Sequence, residues 1–183
     1  KLEYSFSHNN EYLPKKSDLT FNGYVRADGR VGIRNEIWII PTVGCVNKTA
    51  TELEKRFSNI GKGCDGVYAF THKFGCSQLG DDQENTRKIL ASLAHHPNAG
   101  GVLIVSLGCE NTNLSVFKEY LGDVDESRVK FMVCQDVPDE IEEGTRLINE
   151  IYNTIKNDKR QPVNIDKLVV GYKCGGSDAF SGM

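Results

Sequence analysis

The segment Phe70–Asp82 concentrates side chains that can carry out acid–base or metal chemistry. It reads FTHKFGCSQLGDD and follows the apolar run Gly66–Phe70, which is typical of a buried strand. Histidine can act as a base or a ligand, cysteine as a soft ligand, and carboxylates as acids or ligands. Because open α/β sheets bind their ligands in loops at the carboxyl ends of strands, we expect this segment to belong to an active site.

Five of the six cysteines repeat this placement, each a few residues after a predicted strand: Cys45, Cys76, Cys109, Cys134 and Cys174. Neighbouring strands lie about 4.8 Å apart, so side chains at their carboxyl ends can converge on one ion or substrate. Glycine adjoins four of these cysteines, and glycine turns expose amide groups that favour anions. We therefore expect Cys45, Cys76, Cys109 and Cys174 near a ligand, either as metal ligands or as neighbours of the site. Cys134 and Cys64 are expected to be buried structural residues.

Other polar residues are candidates that also have structural alternatives. His72 precedes Cys76 by four residues and is a candidate base or metal ligand. Glu110 and Asn111 could bind a hard cation or a ligand hydroxyl, or could cap a helix, and Asp178 is similar. One of Asp81 and Asp82 is expected to be only a helix cap. One of Arg26, Arg30 and Arg34 could pair with a ligand carboxylate.

The elements that must position these residues alternate between strands and helices. Continuous apolar runs predict strands at Ile37–Val43, Gly66–Thr71, Gly101–Leu107, Val129–Val133 and Leu168–Tyr172. Helices are predicted near Lys48–Ser58, Asp82–Ala94, Asn113–Leu121 and Pro138–Lys156. This pattern indicates a parallel sheet covered on both faces, with every strand-to-helix loop at one edge. The predicted fold class is α/β, doubly wound, with a mainly parallel five-stranded sheet and flanking helices.

A β-hairpin is predicted before this sheet. Phe21–Ile37 alternates in polarity around Asp28-Gly29, which is the signal for a two-residue type I′ turn. Residues 1–20 are interpreted as a polar linker or arm, and residues 21–183 as one α/β domain.

Composition excludes several classes of protein. The net charge of -3 gives no basic stripe for nucleic acid. The longest apolar run is too short to span a membrane, and no signal pattern begins the chain, so a cytoplasmic location is predicted. Long helices and buried strands argue against a disulfide scaffold. The first predicted strand lacks G-x-G-x-x-G and no P-loop motif is present, so nucleotide binding is disfavoured.

Five segments resemble the altronate dehydratase (altronate hydrolase) and galactarate dehydratase family of sugar-acid lyases. They read DGRVGIRNEIWIIPTVGCVN (28–47), THKFGCSQLGDD (71–82), HPNAGGVLIVSLGCEN (96–111), FMVCQDV (131–137) and YKCGGSDAFSG (172–182). The tryptophan-containing strand and GCSQLGDD resemble the altronate branch more than the galactarate branch. Family enzymes resemble a three-part chain, so this chain looks like the second domain as a fragment.

The resemblance implies a hydro-lyase that converts D-altronate to 2-keto-3-deoxy-D-gluconate in galacturonate catabolism, with a dependence on iron or manganese. It implies His72, or a residue of a missing C-terminal part, as the base that takes the C2 proton. The implied metal neighbourhood is Cys45, Cys76, Cys109, Cys174 and Glu110, and thiolates there would favour iron. The implied substrate contacts are Arg34, Asn47, Gln78, Asp81, Asn111, Ser177 and Asp178. A small-molecule sugar acid is the implied partner, and a homo-oligomer is a further expectation.

Alternative functions stay open from the sequence. The chain could belong to a galactarate dehydratase, or could be a domain that only binds substrate or metal. The six cysteines would be consistent with a thiol redox or iron–sulfur protein, but the sequence contains no C-x-x-C pair. A domain that mainly builds an oligomer is another alternative.

Overall fold

The computed structural model describes residues 18–171, which form two sheets and four α-helices. The strands are β1 (Thr20–Val25), β2 (Val31–Gly32), β3 (Glu36–Pro41), β4 (Val67–Ala69), β5 (Ala99–Ser106), β6 (Val129–Val133) and β7 (Gln161–Asn164). The helices are α1 (Asn47–Arg56), α2 (Gly80–Ala94), α3 (Leu114–Leu121) and α4 (Glu140–Ile155). None of the helices in this range has the length and apolar character needed to cross a membrane.

A parallel four-stranded sheet lies at the centre of the described residues, in the order β4-β3-β5-β6. β3 reads EIWIIP and β5 reads AGGVLIVS, and such apolar runs suit strands that are buried on both faces. The chain passes from β3 outward to β4, returns across β3 to β5 and continues to β6. The direction of winding therefore reverses between β3 and β5, and the parallel α/β arrangement predicted from the sequence is confirmed for these four strands. A reversal of this kind leaves a crevice at the carboxyl ends of the two strands, here called the switch point.

The side chains of β3 alternate between two hydrophobic cores. Ile37 and Ile39 are fully buried in the core that α1 and α4 cover. Trp38 and Ile40 lie in the core that α2 and α3 cover. Full burial of one large aliphatic side chain is worth about 1.5–3 kcal/mol, so these two cores hold the sheet and its loops in place.

The predicted hairpin is present, but its turn is of another type. β1 pairs antiparallel with β2, so that Tyr24 lies opposite Gly32. A type I′ turn needs positive φ at both central residues, whereas only glycines have positive φ among residues 18–171, including Gly29 at 81°. The N–H of Gly29 donates to the carbonyl of Arg26, and the N–H of Arg26 donates to the carbonyl of Arg30. The prediction of a two-residue turn at Asp28-Gly29 was therefore wrong, because the loop has three residues with a left-handed glycine at its end.

The prediction of a fifth parallel strand at Leu168–Tyr172 was wrong for residues 168–171, which are the part of it that the structure describes. Residues 168–171 form no strand, and Val169 is 93% exposed. The chain instead forms β7, which pairs antiparallel with β1 in a sheet of order β2-β1-β7. The prediction failed because a short apolar run does not by itself distinguish a buried strand from an exposed segment. β7 was missed because Pro162 argues against a strand. Proline is nevertheless tolerated in β7, because this strand lies at the edge of its sheet.

Candidate active site

Four successive loops meet at the carboxyl edge of the parallel sheet, which is the edge where β3, β4, β5 and β6 end. The loops after β3 and β4 are joined by a hydrogen bond from the N–H of Gly44 to the carbonyl of Phe74, at 2.7 Å. The loops after β4 and β5 are joined by the side-chain amide of Asn111, which donates to the carbonyl of Cys76 at 3.2 Å. The carboxyl edge is therefore one connected surface.

Glu110 is a buried carboxylate at the switch point, with 3% of its surface exposed. Its Oε1 accepts hydrogen bonds from Thr42 Oγ1 at 2.6 Å, Ser106 Oγ at 2.5 Å and the N–H of Leu107 at 3.1 Å. Its Oε2 accepts from the N–H of Gly108 at 2.6 Å. Burial opposes ionisation, but the hydrogen bonds from Ser106, Thr42 and the backbone outweigh it and lower the pKa of Glu110. The carboxylate thus ties the end of β3 to the loop after β5.

His72 lies at the same edge, and both of its ring nitrogens are engaged. Nε2 lies 2.9 Å from the carbonyl of Pro41, and Nδ1 accepts from the N–H of Phe74 at 3.2 Å. A carbonyl can only accept, so this pair of contacts requires the proton to be on Nε2. Asn47 holds the same residue through its backbone, since Nδ2 donates to the carbonyl of His72 at 2.7 Å. Nδ1 can therefore take a proton only when its contact with Phe74 breaks.

Three of the predicted cysteines are exposed at the carboxyl edge: Cys45, Cys76 and Cys109. The side chain of Gln135, in the loop after β6, lies with Nε2 3.7 Å from Sγ of Cys109. Gln135 therefore helps to place one of the three thiols.

The other two described cysteines were expected to be buried, and this is confirmed for Cys134 but not for Cys64. Cys134 is buried, and burial, followed by the negative charges of Glu140 and Glu110, raises its pKa to about 11. Cys64 is partly buried, and its thiol lies 3.3 Å from the carbonyl of Gly66. Burial is also the main reason why the pKa of Cys64 is raised.

Residues 23–156 match the family described as D-galactarate dehydratase/Altronate hydrolase, second domain. The chain belongs to this family. It is 48% identical over 99% of its length to altronate dehydratase of Escherichia coli (strain K12), and 51% identical over 90% to altronate dehydratase of Bacillus subtilis (strain 168). It is 29% identical over 94% of its length to galactarate dehydratase (L-threo-forming) of Escherichia coli (strain K12). It covers 37%, 34% and 36% of these relatives, so it spans about a third of the length of the curated relatives it matches.

The described part of this second domain does not complete a metal site. Within residues 18–171, no group of three His, Cys, Asp or Glu side chains is arranged to hold one ion. Glu110, one of the predicted ligands, has both oxygens engaged by the four donors described above. Cys174, Ser177 and Asp178 lie outside the described residues. The donors within residues 18–171 therefore do not by themselves fit an iron or manganese ion.

Besides Asn47, three predicted substrate contacts lie near the carboxyl edge in this second domain. Asn111 is exposed there, and Gln78 donates to Oγ1 of Thr86 at 2.9 Å. Asp81 is exposed in the first turn of α2, where the helix dipole favours a negative charge. The expectation that Asp81 or Asp82 caps α2 was wrong, because α2 begins after Leu79 without a side-chain cap.

Arg34 lies at the opposite edge of the sheet, before the start of β3. It pairs with Glu36, with Nε 2.9 Å from Oε1. Since a six-residue strand spans roughly 20 Å, the structure does not bring Arg34 to the cysteines of the carboxyl edge.

A cavity of about 580 Å³ also lies at this amino edge, beside the hairpin and the starts of β5 and β6. Its arginines are already paired: Arg128 and Arg26 with Asp158, and Arg30 with Asp28. The cleft at the carboxyl edge is far smaller, about 10 Å³. The carboxyl edge is still the better candidate site, because the exposed thiols, His72 and the switch point coincide there.

Three residues that contact the candidate site were missed from the sequence: Thr42, Ser106 and Gln135. Thr42 and Ser106 are polar residues at the ends of the apolar runs WIIP and VLIV, and this change in polarity is the signal that could have identified them. Gln135 carried no such signal, because its contact with Cys109 arises from the pairing of β5 with β6.

Proposed function

We propose that this chain is the second domain of a hydro-lyase that dehydrates D-altronate to 2-keto-3-deoxy-D-gluconate. The observation that carries the proposal is the identity of 48% and 51% to two altronate dehydratases, over 99% and 90% of the chain. The identity of 29% to a galactarate dehydratase makes galactarate the second candidate substrate.

The reaction is an elimination next to a carboxylate. A base takes the proton from C2, the C2–H electrons form the C2–C3 double bond, and the C3 hydroxyl leaves as water after it gains a proton. The resulting enol becomes the 2-keto acid by moving a proton to C3. Because the C2 proton is a very weak acid, the site must stabilise the negative charge that develops on the substrate carboxylate.

Our proposal assigns the residues of the carboxyl edge to this reaction. His72 takes the C2 proton at Nδ1, once the contact from the N–H of Phe74 is broken. The side chains of Asn47, Gln78, Asp81 and Asn111 supply polar groups near the substrate hydroxyls, together with Ser177 and Asp178. Arg34 is not assigned a substrate contact, because it lies at the other edge of the sheet.

Metal dependence is also part of the proposal. The exposed thiols of Cys45, Cys76 and Cys109 are the soft donors of the described residues, and iron or manganese would need further donors from Cys174 or from the rest of the full-length protein. Such an ion would supply positive charge for the substrate carboxylate. A cytoplasmic location and a homo-oligomer stay predictions.

The proposal is tested with the full-length protein that contains this chain. Purified protein is incubated under anaerobic conditions with D-altronate or D-galactarate, and the 2-keto acid is followed by NMR. We expect turnover of D-altronate at a much higher kcat/KM than D-galactarate. A higher kcat/KM for D-galactarate would favour galactarate as the substrate. Binding of either acid without turnover would mean that the domain only binds substrate.

A further inference from the structure

The carboxylate of Glu110 is almost fully used by contacts within the protein. A carboxylate offers about four lone-pair directions, and four donors meet it here: two hydroxyls and two backbone amides. Each donor lies within 3.1 Å of a carboxylate oxygen. Little acceptor capacity is therefore left for a metal ion or a substrate, so Glu110 acts through the groups that it holds.

Two of those groups belong to the turn that presents Cys109. The N–H groups of Leu107 and Gly108, which directly precede Cys109, both point to Glu110. Gly108 has φ of 124°, and a Cβ on it would lie 2.8 Å from Oε1 of Gln135. Gln135 therefore leaves little room for a side chain at position 108, and a buried carboxylate holds the amides of the turn. These two constraints fix the backbone at Cys109.

The remaining contacts carry this constraint to the neighbouring loops. Thr42 binds Glu110 from the end of β3, across the switch point. Asn111, the next residue after Glu110, binds the carbonyl of Cys76 in the loop after β4. One buried carboxylate is therefore connected to the ends of three adjacent strands, each of which carries an exposed thiol nearby.

We propose that Glu110 is a positioning residue of this site: it locks the 107–111 turn against β3 and so sets where Cys109 and Asn111 stand relative to the substrate. This inference rests on the proposed function, because the reaction defines what must be positioned. A displacement of about 1 Å of a group at the reacting centre is enough to cost on the order of 10²-fold in rate.

The test compares Glu110→Gln with Glu140→Gln in the full-length protein. Glu140 is a matched control, since its Oε1 also accepts from a threonine hydroxyl, that of Thr49 at 2.7 Å, but it has no contact with the Cys109 turn. The readouts are kcat and KM for D-altronate, bound iron and manganese, and the rate at which iodoacetamide alkylates Cys109 relative to Cys64, measured by mass spectrometry. The alkylation readout does not depend on dehydratase activity.

For Glu110→Gln we expect kcat to fall on the order of 10²-fold with KM close to that of the wild type, unchanged metal content and a severalfold change in Cys109 alkylation. Glu140→Gln should change none of these. Loss of bound metal with unchanged Cys109 alkylation would make Glu110 a ligand and overturn the proposal. Wild-type kcat with unchanged alkylation would overturn it as well.

Two further outcomes separate this inference from the proposed function. If the wild type turns over no sugar acid, the proposed function fails, while the alkylation of Cys109 still tests the role of Glu110 in holding the turn. If Glu110→Gln does not fold, Ser106→Ala removes a single donor and should move kcat and Cys109 alkylation in the same directions by smaller factors. Absence of both shifts in Ser106→Ala would overturn the inference.

Discussion

Replacement of Thr42 by valine should reveal how strongly the buried carboxylate joins β3 to β5. The change keeps the shape of the side chain and removes the hydroxyl that donates to Glu110 at 2.6 Å, in a residue that is 3% exposed. The same hydroxyl lies 3.3 Å from the carbonyl of Val105, and the shorter contact to the charged group is the stronger one. A hydrogen bond to a charged group is worth about 1.5–3 kcal/mol, so Thr42→Val should lower the folding equilibrium constant about 10- to 150-fold.

The assay is urea unfolding of the 183-residue chain, followed by the fluorescence of its single tryptophan, Trp38, which is buried. Thr51→Val is the matched control, because the Thr51 hydroxyl donates only to Lys48 in its own helix, and this change should stay within about 0.5 kcal/mol. In a Glu110→Gln background the acceptor is neutral, so the cost of Thr42→Val should fall to about 0.5–1.5 kcal/mol. If Thr42→Val costs no more than Thr51→Val, or costs the same in both backgrounds, the carboxylate does not tie the strands as argued.

Three more outcomes are expected. In the full-length protein, His72→Gln and His72→Asn should each lower kcat for D-altronate by on the order of 10²–10⁴-fold, whereas full activity of His72→Gln would limit His72 to holding its loop. At pH 8, iodoacetamide should alkylate Cys134 about 10²-fold more slowly than an unperturbed thiol, because the raised pKa of about 11 leaves little thiolate; equal labelling of Cys134 and Cys109 in a mass spectrum would contradict this. Asp158→Ala should destabilise the chain by about 1–3 kcal/mol in urea, since it removes the shared partner of Arg26 and Arg128; a midpoint equal to that of the wild type would refute the pairing.

The central sheet could be predicted from the sequence because its pattern is local. Buried parallel strands read as apolar runs, and the runs in β3, β5 and β6 stand between polar helical segments. The antiparallel sheet could not be predicted in the same way. β7 reads QPVN, and only its pairing with β1, far away in the chain, makes it a strand. The apolar run at residues 168–170 led to the opposite error. Its sequence predicts a buried strand, but these residues are exposed.

The candidate site was predictable to the extent that it follows strand ends. His72, Cys45, Cys76 and Cys109 were expected at the carboxyl edge because each follows a predicted strand, and the structure has them there. Local sequence could not predict which contacts they make. Thr42, just after β3, is 68 residues from Glu110 in the chain, and only the pairing of β3 with β5 brings the two side chains together.

The distance of Arg34 from the candidate site also could not be predicted from the local sequence. Arg34 lies in the same family motif as Cys45, yet β3 runs between the two residues and separates them by roughly the length of a strand. Proximity in sequence therefore overstated its proximity in space.

The most direct test of the central claim, that the carboxyl edge is the working edge of a sugar-acid dehydratase, is a comparison of two cysteine variants. Cys109→Ala and Cys64→Ala are made in the full-length protein, and kcat/KM for D-altronate is measured under anaerobic conditions. Cys109 is exposed at the carboxyl edge, whereas Cys64 is partly buried at the other end of the sheet. The account predicts a loss on the order of 10²-fold for Cys109→Ala and near wild-type turnover for Cys64→Ala. Equal activity of the two variants would contradict it.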